Sequence, residues 1–462
     1  MKEKQPIQLI SIRQMLPVVF SLAWPTMLEQ LLQTAVQYID TAMVGSLGTA
    51  ATAAVGATTT VNWLIGTTIS ALSVGFLALI SQAYGAGDKP LAAKAAAQAV
   101  LAVLVSGVFF TIVTLSLSGR IPIWMQVDAA IRPLASEYFF ILYLPMLPRA
   151  ASIIFGTVLR AVGDTKTPMR VGAAVNLLNV VLNTLLIYPS RRVFGFFLLP
   201  GAGLGVRGAA ISSAAAFTAG GLCMTAAVWR HPDISPKGSS LKPDKTVLLP
   251  CLRIAVPNML QRFGTSLGYV AFASMINALG EVSTAAHTIA NTVESAFYIP
   301  GYGMQTAAAT LTGNAVGARD KDRFQVLVRT ILPLEVAMMI VSGGLLFAFA
   351  PAMVGLFTKD PAVLRLGALV LRMVALSEPF YGASIIIEGM LQGMGKTKEP
   401  FVYNILGMWG VRIAGTFLCT RLLGLGLVSA WGCMIAHNLL LFALFSLRAL
   451  RSTLRGDFPQ AA

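Results

Sequence analysis

Apolar residues run along this chain in stretches of 20 or more, interrupted by short polar turns, almost from end to end. Each stretch is long enough to cross a hydrocarbon core of about 30 Å as a helix. The turns divide them into twelve predicted helices, at roughly 15–44, 52–83, 91–118, 131–160, 168–188, 204–229, 246–278, 284–314, 324–350, 362–392, 400–420 and 426–449. Backbone immersed in lipid must satisfy its own hydrogen bonds, so the pattern predicts an all-α membrane protein and excludes a soluble enzyme core. Charged residues make up 11% of the 462, against about 25% in soluble domains.

The formal net charge of +15 invites a nucleic-acid partner, but its distribution argues against one. Of the 34 Lys and Arg, 22 fall on the two termini and the even-numbered connections and 9 on the odd-numbered ones. By the positive-inside rule, both termini are then cytoplasmic. Arg149, Arg262 and Arg412 lie within helices. No Ala-x-Ala cleavage site follows the first apolar stretch, which reads as a retained span. The four cysteines lack metal-ligand spacing and read as reduced packing residues; neither a metal nor a cofactor is expected.

An internal repeat organises the chain. Pro25 recurs as Pro257, 232 residues on, and at the same offset Leu47-Gly48 recurs as Leu279-Gly280 and Asp128 as Asp360. So do Gly85-Ala86-x-Asp88 (Gly317-Ala318-x-Asp320) and Gly163-x-Thr165-Lys166-x-Pro168 (Gly395-x-Thr397-Lys398-x-Pro400). Later, Gly203-Leu204-Gly205 pairs with Gly424-Leu425-Gly426, which gives the first half about 11 extra residues in an outer loop between Tyr188 and Gly201. Six helices per half is an even number, so both halves enter the membrane from the same side, as in parallel-repeat alternating-access carriers. The expected division is a first lobe at 1–231, a polar cytoplasmic linker at 232–245 and a second lobe at 246–462.

Positions that differ between the halves are the candidates for function. Asp40 faces Phe272 across the repeat, and Glu294 faces Asn62. An ionised side chain in the bilayer costs at least about 2.5–3.5 kcal/mol, which makes such acids functional candidates. Desolvation penalises a carboxylate's charged form, so an acid there can exchange a proton or hold a cation with help from amide oxygens. Gln33, Gln37 and Asp40 share one face of the first helix, and Asn176, Asn179 and Asn183 share one face of the fifth. The bland alternative is helix–helix glue. Glu29 is expected to neutralise Arg149 or Arg262, Glu378 and Glu388 to serve ions or reach water, and His287 and His437 to pack. Pro25 and Pro257 permit bending. Gly393-Met-Gly395-Lys396-Thr397 imitates the end of a phosphate-binding loop, but position 390 is Met and no strand precedes it. With no ATP site, uphill transport needs an ion gradient.

Trp24-Pro25 through Asp40-Thr-Ala-Met-Val-Gly45, Gln82-Ala-Tyr-Gly-Ala-Gly-Asp88, Leu159-Arg-Ala-Val-Gly-Asp-Thr-Lys-Thr-Pro168 and Glu294-Ser-Ala-Phe-Tyr-Ile-Pro-Gly301 together resemble the multidrug and toxic compound extrusion (MATE) family, in its DinF-like branch. The resemblance covers nearly the whole chain. It implies a V-shaped pair of six-helix bundles in the bacterial cytoplasmic membrane, exporting small organic, often cationic, drugs as a monomer in exchange for protons or sodium. It further implies Asp40 as the coupling residue, with Asn179 and Asn183 beside it. Pro25 is then the hinge, and Gln33, Gln37, Asn176 and Asn179 line the substrate cavity. The family's Leu-Asp-Pro in the fifth helix is here Leu182-Asn183-Thr184, so a second carboxylate is missing. The acids of the sodium-linked branch have no match in the seventh helix and only an approximate one, Glu378, in the tenth. Protons are therefore favoured over sodium, with Glu294 and Glu378 as secondary candidates. The alternatives are a sodium-coupled exporter, a flippase for lipid-linked precursors and, as a third class, a membrane enzyme or receptor.

Overall fold

The computed structural model describes residues 11–125, 127–193 and 197–454; Lys2, Lys4 and Arg455 of the charge pattern lie outside the described residues. Twelve helical stretches follow one another: α1 (Ile12–Gly45), α2 (Thr49–Gly85), α3 (Lys89–Leu117), α4 in two segments (Arg132–Tyr143 and Met146–Ala161), α5 (Lys166–Leu186), α6 (Val206–Arg230), α7 (Lys245–Asn277), α8 (Glu281–Gly317), α9 (Lys321–Gly355), α10 in two segments (Pro361–Ala375 and Glu378–Gly393), α11 (Lys398–Leu422) and α12 (Leu427–Leu454). A single turn, Ile121–Trp124, lies between α3 and α4. Eight of the helices are long and apolar enough to span a membrane, and the bent pairs α4 and α10 bring the number to ten. The other two, α7 and α8, are 33 and 37 residues long and interleave apolar residues with polar ones such as Asn258, Gln261, Asn291 and Gln305.

Two stretches expected as uninterrupted helices are broken. α4 bends by 52° and α10 by 53°, at Leu144-Pro145 and at the repeat-related Leu376-Ser377. Proline lacks the N–H, so Pro145 and Pro379 interrupt the helical hydrogen-bond ladder at the breaks, and the backbone leaves the helical region at Pro145 itself (φ −89°, ψ 43°). The extra residues of the first half form an antiparallel hairpin, β1 (Pro189–Val193) and β2 (Phe197–Ala202), with Pro189 opposite Ala202. α11 widens into π-helix over Leu406–Ile413 and Leu418–Leu422.

The helices gather into two compact units that do not follow the expected lobes residue by residue. The larger unit holds Leu252 onward together with the chain up to Met27 and Leu77–Asp88; the smaller holds Leu28–Phe76 and Lys89–Cys251. α1 thus gives its Pro25 end to the larger unit and its Asp40 end to the smaller. In the larger unit, Phe272, Leu346, Leu371 and Trp431 form one core cluster and Met15, Met304, Leu327 and Met390 another. Beside Pro25, Thr26 Oγ1 donates to the Gly303 carbonyl at 2.8 Å. α8 packs so closely there that a Cβ on Gly303 would stand 2.6 Å from the Met27 nitrogen. In the smaller unit, α3 exposes Leu104, Val105, Val108, Phe109 and Ile112 on one face, which suits contact with lipid. The linker is pinned within that unit: Gln98 donates to the Lys242 carbonyl and accepts from Asp244 N, and Lys94 pairs with Asp244 at 2.5 Å.

The repeat extends to backbone conformation. Positive φ angles recur at Gly48 and Gly280 (112° and 106°), Gly163 and Gly395 (87° and 76°) and Gly203 and Gly424 (64° each). At the fourth pair Gly87 (75°) matches Arg319 (54°), the one non-glycine residue with positive φ among those described. A turn that demands left-handed backbone holds even where the favoured residue is missing.

Candidate functional site

Asp40 sits one turn before the end of α1, half-buried, facing α5. Helical spacing puts Asn179 and Asn183 one above the other on α5, and both are buried. Asn183 Nδ2 donates to Asp40 Oδ1 at 2.6 Å and to Asn179 Oδ1 at 3.1 Å, and Asn179 Nδ2 donates to Ser213 Oγ on α6 at 3.3 Å. With its amide turned, Asn179 instead donates to Asp40 Oδ1 at 2.8 Å and Oδ2 at 3.2 Å and accepts from Ser213. In either orientation the four groups form one hydrogen-bonded set. Asn183 Oδ1 is buried beside the carboxylate with no partner among the described residues. Amide donors favour the ionised carboxylate, while the surrounding apolar helix disfavours it. A carboxylate balanced in this way can change its protonation state at modest cost.

Tyr138, on the first segment of α4, lies within electrostatic reach of both Asp40 and Arg149. Arg149, on the second segment, is buried beneath Tyr143 (5.6 Å to the ring centroid) and Phe217 of α6 (4.6 Å). Tyr143 OH in turn donates to Asn62 Oδ1 on α2 at 3.1 Å. The smaller unit thus holds an acid, Asp40, and a buried cation, Arg149.

The other predicted positions fall elsewhere. Gln33 and Gln37 are exposed on α1 and Asn176 is half-buried on α5; none of them hydrogen-bonds Asp40 among the described residues. Pro25 is buried inside α1, in the larger unit. Glu294 and Glu378 are buried in that unit too, interacting electrostatically with each other, and Glu294 also with Arg412. Arg412 lies over the rings of Tyr269 (4.8 Å) and Phe272 (4.2 Å). His287 packs edge-on against Phe272 and Trp431. The sulfurs of Cys419 and Cys433, both free, lie 3.9 Å apart.

Glu29 requires a correction. It pairs with neither Arg149 nor Arg262 but with Arg160, whose Nη2 donates to both carboxylate oxygens at 2.6 and 2.7 Å. Arg160 stands in the last turn of α4, within reach of the part of α1 that carries Glu29. The repeat equivalents of Glu29 and Arg160 are Gln261 and Gln392. Both donate to Glu388 Oε1, at 2.8 and 3.1 Å, while Asn404 donates to Oε2 at 3.3 Å. One half clamps its helices with an ion pair, and the other with a carboxylate and three amides.

Ser213 and Tyr138 escaped the sequence reading, although the test that singled out Asp40 applies to them. Their repeat counterparts are Met434 and Val370, so each is a polar position of the first half alone.

The family model MatE matches residues 25–185 and again 257–418, beginning each time at the repeated proline. A Thermotoga maritima protein named "Probable multidrug resistance protein NorM" is 28% identical over 415 residues, which cover 90% of this chain and 88% of that one. "Probable multidrug resistance protein YoeA" of Bacillus subtilis is 26% identical over 414 residues, covering 88% and 87%. Among solved structures, the outward-facing conformation of a multidrug resistance MATE family transporter of the MOP superfamily matches with a TM-score of 0.86. It covers 99% of this chain and 100% of that one at 23% identity, a likeness of fold.

Proposed function

The chain belongs to the MatE family of multi-pass membrane transporters, which are not enzymes, and from that membership we propose that it exports small organic, often cationic, compounds in exchange for protons taken up at Asp40. The reading places it in the DinF-like branch and in a bacterial cytoplasmic membrane, with both termini on the cytoplasmic side and a monomer as the working form. It is supported by relatives named for multidrug resistance that align over most of their length.

The observation that carries the coupling step is the contact of Asp40 with Asn183 and Asn179. Ionised, Asp40 accepts the amide hydrogens and attracts a cationic substrate. Protonated, it loses its charge and its hold on the Asn183 donor, so the substrate leaves as the proton arrives. Gln33, Gln37, Asn176 and Asn179 supply polar contacts to the substrate along α1 and α5. Pro25 frees a backbone carbonyl in α1 and allows the helix to bend as Asp40 changes state.

Sodium coupling is the second reading. It is favoured by Asn183 Oδ1, a buried amide oxygen without a partner beside a carboxylate, since hard monovalent cations take oxygen ligands of this kind. Glu294 and Glu378 are its secondary candidates.

Exchange at one carboxylate makes a thermodynamic prediction. Calorimetric titration of the purified protein with ethidium, repeated in buffers of different ionisation enthalpy, is expected to show proton release on binding. The release is absent in Asp40→Asn. Equal proton release from both proteins removes Asp40 from the coupling step.

A further inference from the structure

Arg149 is a buried charge with no ion-pair partner among the described residues. It is 8% exposed, and its Nη1 has no hydrogen-bond partner among the described residues. The ion pairs among those residues are Lys89–Asp233, Lys94–Asp244, Arg160–Glu29, Arg207–Glu137 and Arg448–Glu399; none involves Arg149. A guanidinium stays charged in a protein interior, and a charge buried there without a partner is costly. The rings of Tyr143 and Phe217 recover part of that cost through their faces but offer no bidentate acceptor.

The repeat shows that the scaffold does not need this cation, because the equivalent position in the second half is Tyr381. Gly66 of α2 faces the guanidinium, and a Cβ there would come to 3.6 Å from Nη2. Tyr143 OH interacts with the guanidinium and donates to Asn62 Oδ1. Tyr138 interacts electrostatically with both Arg149 and Asp40.

We propose that Arg149 is a substrate-binding residue that receives a carboxylate. The site is thereby suited to zwitterionic aromatic compounds, whose acid meets the Arg149 guanidinium while their cationic end meets Asp40. Arg is the residue whose planar fork matches a carboxylate, and its stacking on Tyr143 and Phe217 holds the fork in place before the ligand arrives. The proposal rests on the exporter reading and adds to it a preference among substrates of the same shape.

Rhodamine 110 has a free carboxylate and rhodamine 123 is its methyl ester, so the pair isolates that one group. Affinities for both are measured by fluorescence polarisation on the full-length protein in detergent. Wild type is expected to bind the acid about tenfold or more tightly than the ester, the value of a hydrogen bond to a charged group. In Arg149→Gln the ratio is expected to fall to near one, and in Arg149→Lys, which keeps the charge but loses the fork, to an intermediate value. Gel filtration checks that each variant is folded, and Arg149→Lys carries the test if Arg149→Gln is not. A ratio that stays at its wild-type value in the folded variants, or a wild type that does not favour the acid, overturns the proposal while leaving the exporter reading in place. Binding of neither dye overturns both.

Discussion

The hydrogen bond from Asn183 Nδ2 to Asp40 Oδ1, 2.6 Å long, governs how a half-buried carboxylate behaves in apolar surroundings. A donor to a charged acceptor is worth about 1.5–3 kcal/mol. Asn183→Leu removes it at similar volume, so ethidium efflux from proteoliposomes under a fixed pH gradient is expected to fall by about tenfold or more. Wild-type efflux from Asn183→Leu would show that the amide only glues α5 to α1. Asp40, Asn179 and Asn183 were legible in the sequence because they combine polarity, helical spacing and absence from the other half. Ser213 was hidden by the hairpin, which shifts the repeat offset just before α6. The partner of Glu29 was hidden for another reason: sequence distance does not show which arginine a helix crossing brings within reach, and the bend of α4 decides that.

At the scale of elements, the repeat gives each half the same helix clamp in different chemistry. Breaking a buried ion pair by removing one partner costs up to about 3–5 kcal/mol, because the other charge is left uncompensated. Arg160→Gln is therefore expected to lower Tm in detergent more than the double variant Glu29→Gln/Arg160→Gln, which adopts the residues of the second half. A double variant less stable than the single one would mean that the two sites are not equivalent. The linker gives a pH test. Hydrogen bonds from Lys94 and Thr246 pull the Asp244 carboxyl down to about 2. Its folded value lies below its unfolded one, so its contribution is complete above the ordinary carboxylate range and is lost as pH falls through about 2. Pepsin cleavage at 232–245 is expected to stay slow at pH 4 and above and to accelerate toward pH 2. Element positions were readable from turn residues, and Pro145 and Pro379 mark the bends in α4 and α10, whereas the π-helical widening of α11 has no such local signal.

For the whole molecule, the single offset of 232 residues links sequence, backbone and family match: Pro25 and Pro257 begin the two matched regions, and left-handed turns recur at equivalent positions. The halves then diverge at the candidate coupling sites. The first carries Asp40 among amides, and the second carries Glu294 and Glu378 near Arg412. The repeat alone gave the even helix count. It did not reveal that the two ends of α1 join different compact units, because that follows from tertiary contacts. The central claim, proton-driven export through Asp40, is tested most directly by ethidium efflux from proteoliposomes of wild type and Asp40→Asn, under an imposed pH gradient and separately a sodium gradient. The predicted result is efflux driven by the pH gradient alone, and none from an Asp40→Asn protein that still elutes as a folded monomer. Efflux driven by sodium alone, or undiminished in Asp40→Asn, contradicts it.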